Sequence, residues 1–268
     1  MLRTRLLTAG VMLVIVGASL RWGTFALWDA LVGLLVIWAG WEWADLVRIG
    51  GWLRGVYGGA LFLLYHVLGP EVQKVGFLVS LLFWLGVAPL WLNRGWKVAP
   101  MVGLWLGCVI ILPTGWALAL LRQVGGNTVL LAFMALVWIS DTAAYFSGKA
   151  WGRHKLAPTI SPGKTWQGVA GAIAAVTVYG LGWWFFGQHG DGMMGEVMRH
   201  SGWLWLPLLW LLTALGILGD LFESWIKRCA GVKDSGVGLP GHGGVLDRVD
   251  ALTSTLPLAA LWLLVVLR

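Results

Sequence analysis

Two clusters of acidic and basic side chains near the C-terminus carry the spacings that could do chemistry. Asp220, Glu223, Ser224 and Lys227 recur at i, i+3, i+4 and i+7. On a helix they share one face, leaving Leu221, Phe222, Trp225 and Ile226 to the other. Asp247 and Asp250, again three apart, flank Arg248 at the start of the next apolar run. Acidic residues suit a helix N-terminus, so one of this second pair could act as a cap. Carboxylates on two helix ends around one loop nevertheless suggest a hard-cation site. Mg²⁺ is commonly held by one or two carboxylates together with substrate phosphates. No Cys/His cluster stands at zinc spacing.

The loop between them, Lys233 to Arg248, reads KDSGVGLPGHGGVLDR. Its glycines, Gly243 and Gly244 among them, let successive backbone N–H groups approach an anion closely. Arg228, Lys233 and Arg248 add positive charge suited to a polyphosphate. His242 fits a structural hydrogen-bonding role as well as a catalytic one. A second polar stretch follows Asp141 and Tyr145, one turn apart, and reads SGKAWGRHKLAPTISPGKTWQG from Ser147. Its GKT, around Lys164, resembles a P-loop, but Pro158 stands where that motif requires Gly, and no strand is expected ahead of it. The segment is read as a basic loop on the same side as the candidate cation site.

The elements that must hold these loops are apolar. Hydrophobic residues form 59% of the 268 residues and charged residues only 12%, with a mean hydropathy of +0.79. Soluble domains carry about 25% charged residues. Twenty-one tryptophans fit the same reading, because Trp favours the membrane–water interface. At roughly 20 apolar residues per crossing, nine spans are expected, near 6–20, 25–41, 54–69, 74–92, 98–121, 127–146, 167–187, 202–222 and 250–267. This predicts an all-α integral membrane protein with one polytopic domain over residues 1–268. The first segment lacks an A-x-A-like cleavage site and is read as a span, not a cleaved signal. With the N-terminus in the cytoplasm, fourteen of nineteen Lys and Arg lie inside. Arg21, Lys74, Arg122, Arg199 and Arg268 lie outside, and both polar loops are cytoplasmic. Cys108 and Cys229 make no disulfide framework, and Cys108 reads as a small core residue.

The run from Ser224 to Asp250, with S-W-I-K-R, K-D-S-G and L-P-G-H-G-G-V-L-D-R-V-D, resembles the signature of the bacterial phosphatidate cytidylyltransferases (CDP-diacylglycerol synthases) throughout its 27 residues. The segments DTAAYFSGK from Asp141 and KLAPTISPGKTWQG from Lys155 resemble the same family in order and spacing. Ala143 departs from it, standing where Gly often follows Asp-Thr. The resemblance implies an inner-membrane enzyme of phospholipid biosynthesis that joins CTP and phosphatidic acid to give CDP-diacylglycerol and pyrophosphate. It also implies Mg²⁺ dependence, with Asp220 and Asp247 as the metal-holding residues. Whether a second, monovalent cation acts beside Mg²⁺ stays open. Lys227, Arg228, Lys233 and Arg248 would then clamp phosphates, with Lys164 from the other loop. Asp234 and Asp250 could hold metal, orient a base or bind the cytidine. The Trp-rich spans could pack into a homodimer, and nothing points to nucleic acid. Two rivals remain, a CTP-dependent lipid kinase and a transporter with Asp141 and Asp220 on an ion path. The transporter predicts polar residues dispersed near mid-bilayer.

Overall fold

A computed structural model describes residues 2–187, 189–190 and 192–267; Met1, Gln188, Asp191 and Arg268 lie outside them. Ten α-helices follow in order: α1 (Leu2–Trp22), α2 (Phe25–Leu46), α3 (Leu53–Val67), α4 (Pro70–Leu82), α5 (Ala88–Arg94), α6 (Pro100–Trp151), α7 (Trp166–Gly182), α8 (Met193–Ser201), α9 (Trp205–Ala230) and α10 (Leu246–Val266). A π-helical turn, Phe83–Val87, joins α4 to α5. Among the described residues, six helical stretches are long and apolar enough to cross a membrane. One of them, α6, has 52 residues. At 1.5 Å per residue it would run about 78 Å, more than twice the hydrocarbon thickness. It breaks at Gly126, whose φ of 74° and ψ of 177° are not helical. Gly126 falls in the gap, residues 122–126, expected between the fifth and sixth spans.

The break is held by a buried cation. Arg122, expected in a loop on the outer side of the membrane, is only 3% exposed. Its guanidinium donates to the carbonyls of Ser19, Gly23 and Thr24 and to Asn127 Oδ1, while Asn127 Nδ2 donates to Leu20 O. These carbonyls lie at the α1–α2 junction, where Ser19 O and Thr24 O also accept from Gly23 N and Trp28 N. The partial negative charge of carbonyls at a helix C-terminus is why a cation is tolerated there.

The core is one continuous apolar cluster, in which Trp43, Trp84, Trp205, Phe77 and Phe222 are almost wholly buried. Helix α10 is packed between α6 and α9 and is largely buried. It carries Pro257, which lacks an N–H and so leaves the Thr253 carbonyl without its usual donor. Trp84 Nε1 supplies one at 3.1 Å. Helices α9 and α10 approach closely at Gly219, where an added Cβ would meet Ser254 Oγ and Asp250 O. Ser254 Oγ donates across the same seam to Leu215 O at 2.7 Å.

The all-α expectation has one exception. Lys155–Ala157 (β1) and Ser161–Thr165 (β2) pair antiparallel in a short hairpin before α7. A strand therefore does precede Gly163–Lys164–Thr165, contrary to expectation. That tripeptide itself lies in β2 and not in a phosphate-wrapping loop, so the P-loop stays excluded. Thr165 instead caps α7, accepting from Gly168 N at 3.1 Å.

Candidate active site

The polar face predicted for residues 220–227 forms on α9, and both polar loops converge on it. The hairpin delivers Lys164, whose Nζ lies 2.6 Å from Asp220 Oδ2 and also donates to Ile217 O at 3.3 Å. Ser224 Oγ donates to Asp220 Oδ1 at 3.3 Å. One turn on, Lys227 Nζ donates to Asp247 Oδ1 at 2.6 Å and sits 3.1 Å from Glu223 Oε1. Lys227 thus ties α9 to the start of α10 as well as closing its own i, i+4 pair. Asp141, near the end of α6, and Asp250, on α10, both lie close enough to Asp220 to feel its charge. Because Gly219 lets the two helices touch, Asp220 and Asp250 come together on either side of the seam.

Charge bookkeeping decides what this centre can bind. Asp141, Asp220, Glu223, Asp247 and Asp250 are five carboxyl groups, and they share two lysines, Lys164 and Lys227. A polyphosphate entering such a centre needs added positive charge. The donor set consists of hard oxygens, which suits Mg²⁺. Each Asp220 oxygen takes a single donor and keeps a lone pair, and Asp250 has only Ala251 N, 2.9 Å from Oδ1, as a donor among the described residues. Glu223 Oε1 is buried, with the Lys227 ammonium at 3.1 Å as its ion-pair partner. Asp247 is less open. Its Oδ2 lies within 3.0 Å of Ser235 N, Ser235 Oγ and Gly244 N, which leaves Oδ1, beside Lys227, for any further ligand. Among the described residues no three His, Cys, Asp or Glu form a ready-made metal cage. Mg²⁺ does not require one, since it usually keeps water and substrate phosphate in its shell. The residues fit the ion.

The remaining predicted residues sit around the loop between α9 and α10. Lys233, Asp234, His242, Gly243 and Arg248 line a concavity of about 520 Å³, within the range of small-molecule sites. Arg248 Nη2 donates to His242 O at 2.7 Å, and His242 Nδ1 is buried without a partner. The loop turns through Gly241 and Gly243, at φ of 78° and 81°, the left-handed region that favours glycine. Gly244 connects the two halves of the site, because its N–H donates to Asp247 Oδ2 at 2.8 Å. Arg228 is exposed and stands apart from the network among the described residues. Two contributors were missed from the sequence, Glu42 on α2 and Ser235. Glu42 had a signal of its own, an acid inside an apolar span.

The sequence profile of the cytidylyltransferase family matches residues 3–266. The chain belongs to the cytidylyltransferase family. It is similar to the phosphatidate cytidylyltransferase of Pseudomonas aeruginosa, with 38% identity covering 98% of this chain and 97% of that protein. The phosphatidate cytidylyltransferase of Brucella suis is 36% identical, covering 97% and 93% of the two chains. That of Haemophilus influenzae is 32% identical over 96% of each. These cytidylyltransferases match from end to end, so the likeness takes in the N-terminal helices as well as the polar loops.

Proposed function

We propose that the chain transfers the cytidylyl group of CTP to phosphatidic acid, giving CDP-diacylglycerol and pyrophosphate, as a step of phospholipid biosynthesis. Family membership supports the reaction class. The observation that carries the site is the set of five carboxyl groups and two lysines beside the glycine-rich concavity. A phosphate oxygen of phosphatidic acid attacks the α-phosphorus of CTP, a new P–O bond forms, and the bond to the β-phosphate oxygen breaks in line. The attacking oxygen is already anionic, so positioning and charge neutralisation matter more than a general base.

In this reading Lys164 and Lys227 hold phosphate oxygens and, between substrates, neutralise Asp220 and Asp247. Lys233, Arg248 and the N–H groups around Gly243 and Gly244 receive the polyphosphate, with Arg228 at the entrance. Asp220 and Asp247, with Asp250 and Asp141 adjacent, are the groups that would hold Mg²⁺. When bound, Mg²⁺ supplies Lewis-acid stabilisation of the developing charge on the leaving pyrophosphate. An apolar groove on α6, lined by Ala135, Trp138, Ile139, Thr142 and Ala143, reaches the turn that carries Asp141. It gives an acyl chain a path from the bilayer to the reacting headgroup.

Nine crossings, with the N-terminus and both polar loops in the cytoplasm of a bacterial inner membrane, complete the reading. They take α1 and α3 as crossings beside the six longer stretches and divide α6 at Gly126. The test is CTP-dependent liponucleotide formation in membranes containing the Asp220→Asn or Asp247→Asn variant. Loss of product in both is expected, and near-wild-type turnover in either removes that residue from the site.

A further inference from the structure

We infer that Glu42, on α2, is a positioning residue that holds Asp247 and the glycine-rich loop in their reactive arrangement. The inference rests on the role proposed above for Asp247. Glu42 lies between Trp41 and Trp43 in an apolar helix and is 4% exposed. An acidic side chain there is costly unless hydrogen bonded. Its partners come from the far end of the chain. Oε1 accepts from Val245 N at 2.9 Å, and Oε2 accepts from Leu246 N at 2.9 Å and lies 3.0 Å from Ser235 Oγ. The two amides open α10 and have no intrahelical acceptor.

Ser235 carries the link onward. Its Oγ lies 3.0 Å from Asp247 Oδ2 and accepts from Asp247 N at 3.3 Å. The hydroxyl has one proton, so it bridges two carboxyl groups and donates to one at a time. Ser235 N donates to the same Asp247 oxygen, at 2.9 Å. Glycines make the seat possible. A Cβ at Gly236 would meet the Glu42 carboxyl, one at Gly244 would overlap Ser235 Oγ and Glu42 Oε2, and one at Gly238 would enter the Trp38 ring. Trp38 and Glu42, one turn apart, are the floor on which the loop rests. Arg48, just past the end of α2, donates to Cys229 O near the end of α9 at 3.3 Å, so the cytoplasmic-loop ends of both α9 and α10 are referred to α2.

A residue that only capped α10 would affect stability alone. One that orients Asp247 must affect turnover. Loss of such a supporting partner typically lowers activity roughly 10–100-fold. Glu42→Gln keeps the side-chain volume but replaces one acceptor with an NH₂ group that faces a donor. The test compares wild type, Glu42→Gln, Ser235→Ala, the double variant and Asp247→Asn in lipid–detergent micelles with saturating Mg²⁺ and phosphatidic acid and with CTP varied up to saturation. Thermal unfolding is followed by tryptophan fluorescence.

Each of the first two variants is expected to lose roughly 10–100-fold in kcat, with the KM for CTP within about threefold of wild type. The double variant should be no worse than the more damaged single one, because both changes break one path. Wild-type kcat in folded Glu42→Gln, or losses that multiply in the double variant, would overturn the inference. Should Glu42→Gln fail to accumulate, folded Ser235→Ala decides, and an unchanged kcat there overturns it equally. If Asp247→Asn is inactive while Glu42→Gln is unimpaired, the inference alone fails. If Asp247→Asn turns over normally, the site reading fails and this inference falls with it.

Discussion

Asp220 and Asp247 are both paired with a lysine at 2.6 Å, yet their surroundings differ. Asp220 accepts one donor on each oxygen, whereas Asp247 Oδ2 is crowded by Ser235 and Gly244. Asp220 is therefore the freer oxygen donor, and Asp247 is the better fixed. Lys164→Met removes the cation beside Asp220 without changing the hairpin. It should lower kcat/KM for CTP by about 100-fold, measured by steady-state liponucleotide formation, while the protein stays folded. An unchanged kcat/KM would show that Lys164 plays no part in phosphate binding. The face formed by Asp220, Glu223, Ser224 and Lys227 was legible from spacing alone, because helical periodicity places i, i+3, i+4 and i+7 together. The cross-link from Lys227 to Asp247 was not, since an i, i+4 partner, Glu223, explained Lys227 locally. Glu42 escaped for a different reason: its partners are some two hundred positions away.

At the scale of elements, the site depends on how closely α9 and α10 approach. Gly219 faces Ser254 Oγ and the Asp250 carbonyl, where there is no room for a side chain. Gly219→Val should force the helices apart and cost about 1–3 kcal/mol of stability, read as a lower unfolding temperature. Activity should fall with it, since Asp220 and Asp250 separate. A variant with unchanged unfolding temperature and activity would show that the seam is loose. The break in α6 was visible beforehand as the gap between the spans at 98–121 and 127–146, where Gly125 and Gly126 interrupt the apolar run. The hairpin around Lys164 was not, for its strands are only three and five residues long and the second contains Pro162 and Gly163. Short antiparallel pairs of this kind are set by what they pack on, here the ends of α6 and α7, rather than by alternating hydrophobicity. The Trp84–Thr253 bond was hidden likewise: Pro257 announces an orphaned carbonyl, but nothing local says which donor reaches it.

For the whole molecule, apolar composition and the clustering of charge predicted a membrane protein with its chemistry at one end. The convergence of the hairpin, the end of α9 and the start of α10 agrees with that. The number of crossings is harder to read, because α1 and α3 are shorter or less apolar than the six clear stretches. The proposed topology puts Gly163 and Val237 on one side of the membrane. With Cys108 and Cys229 replaced, Gly163→Cys and Val237→Cys should both react with an impermeant maleimide in inverted vesicles and in neither case in intact cells. Opposite labelling of the two would refute the topology. The excess of carboxyl over ammonium groups predicts that a chelator stops turnover and that Mg²⁺ restores it. Undiminished activity with chelator would argue against a cation in the site.

The most direct test of the central claim is the fate of the CTP phosphates. Purified protein is given phosphatidic acid and CTP labelled in either the α- or the γ-phosphorus, beside the Asp220→Asn variant. Label from the α position is expected in the lipid fraction and label from the γ position in pyrophosphate, with neither transfer in the variant. Recovery of γ label in lipid would mean phosphoryl transfer instead, and would contradict cytidylyl transfer at this site.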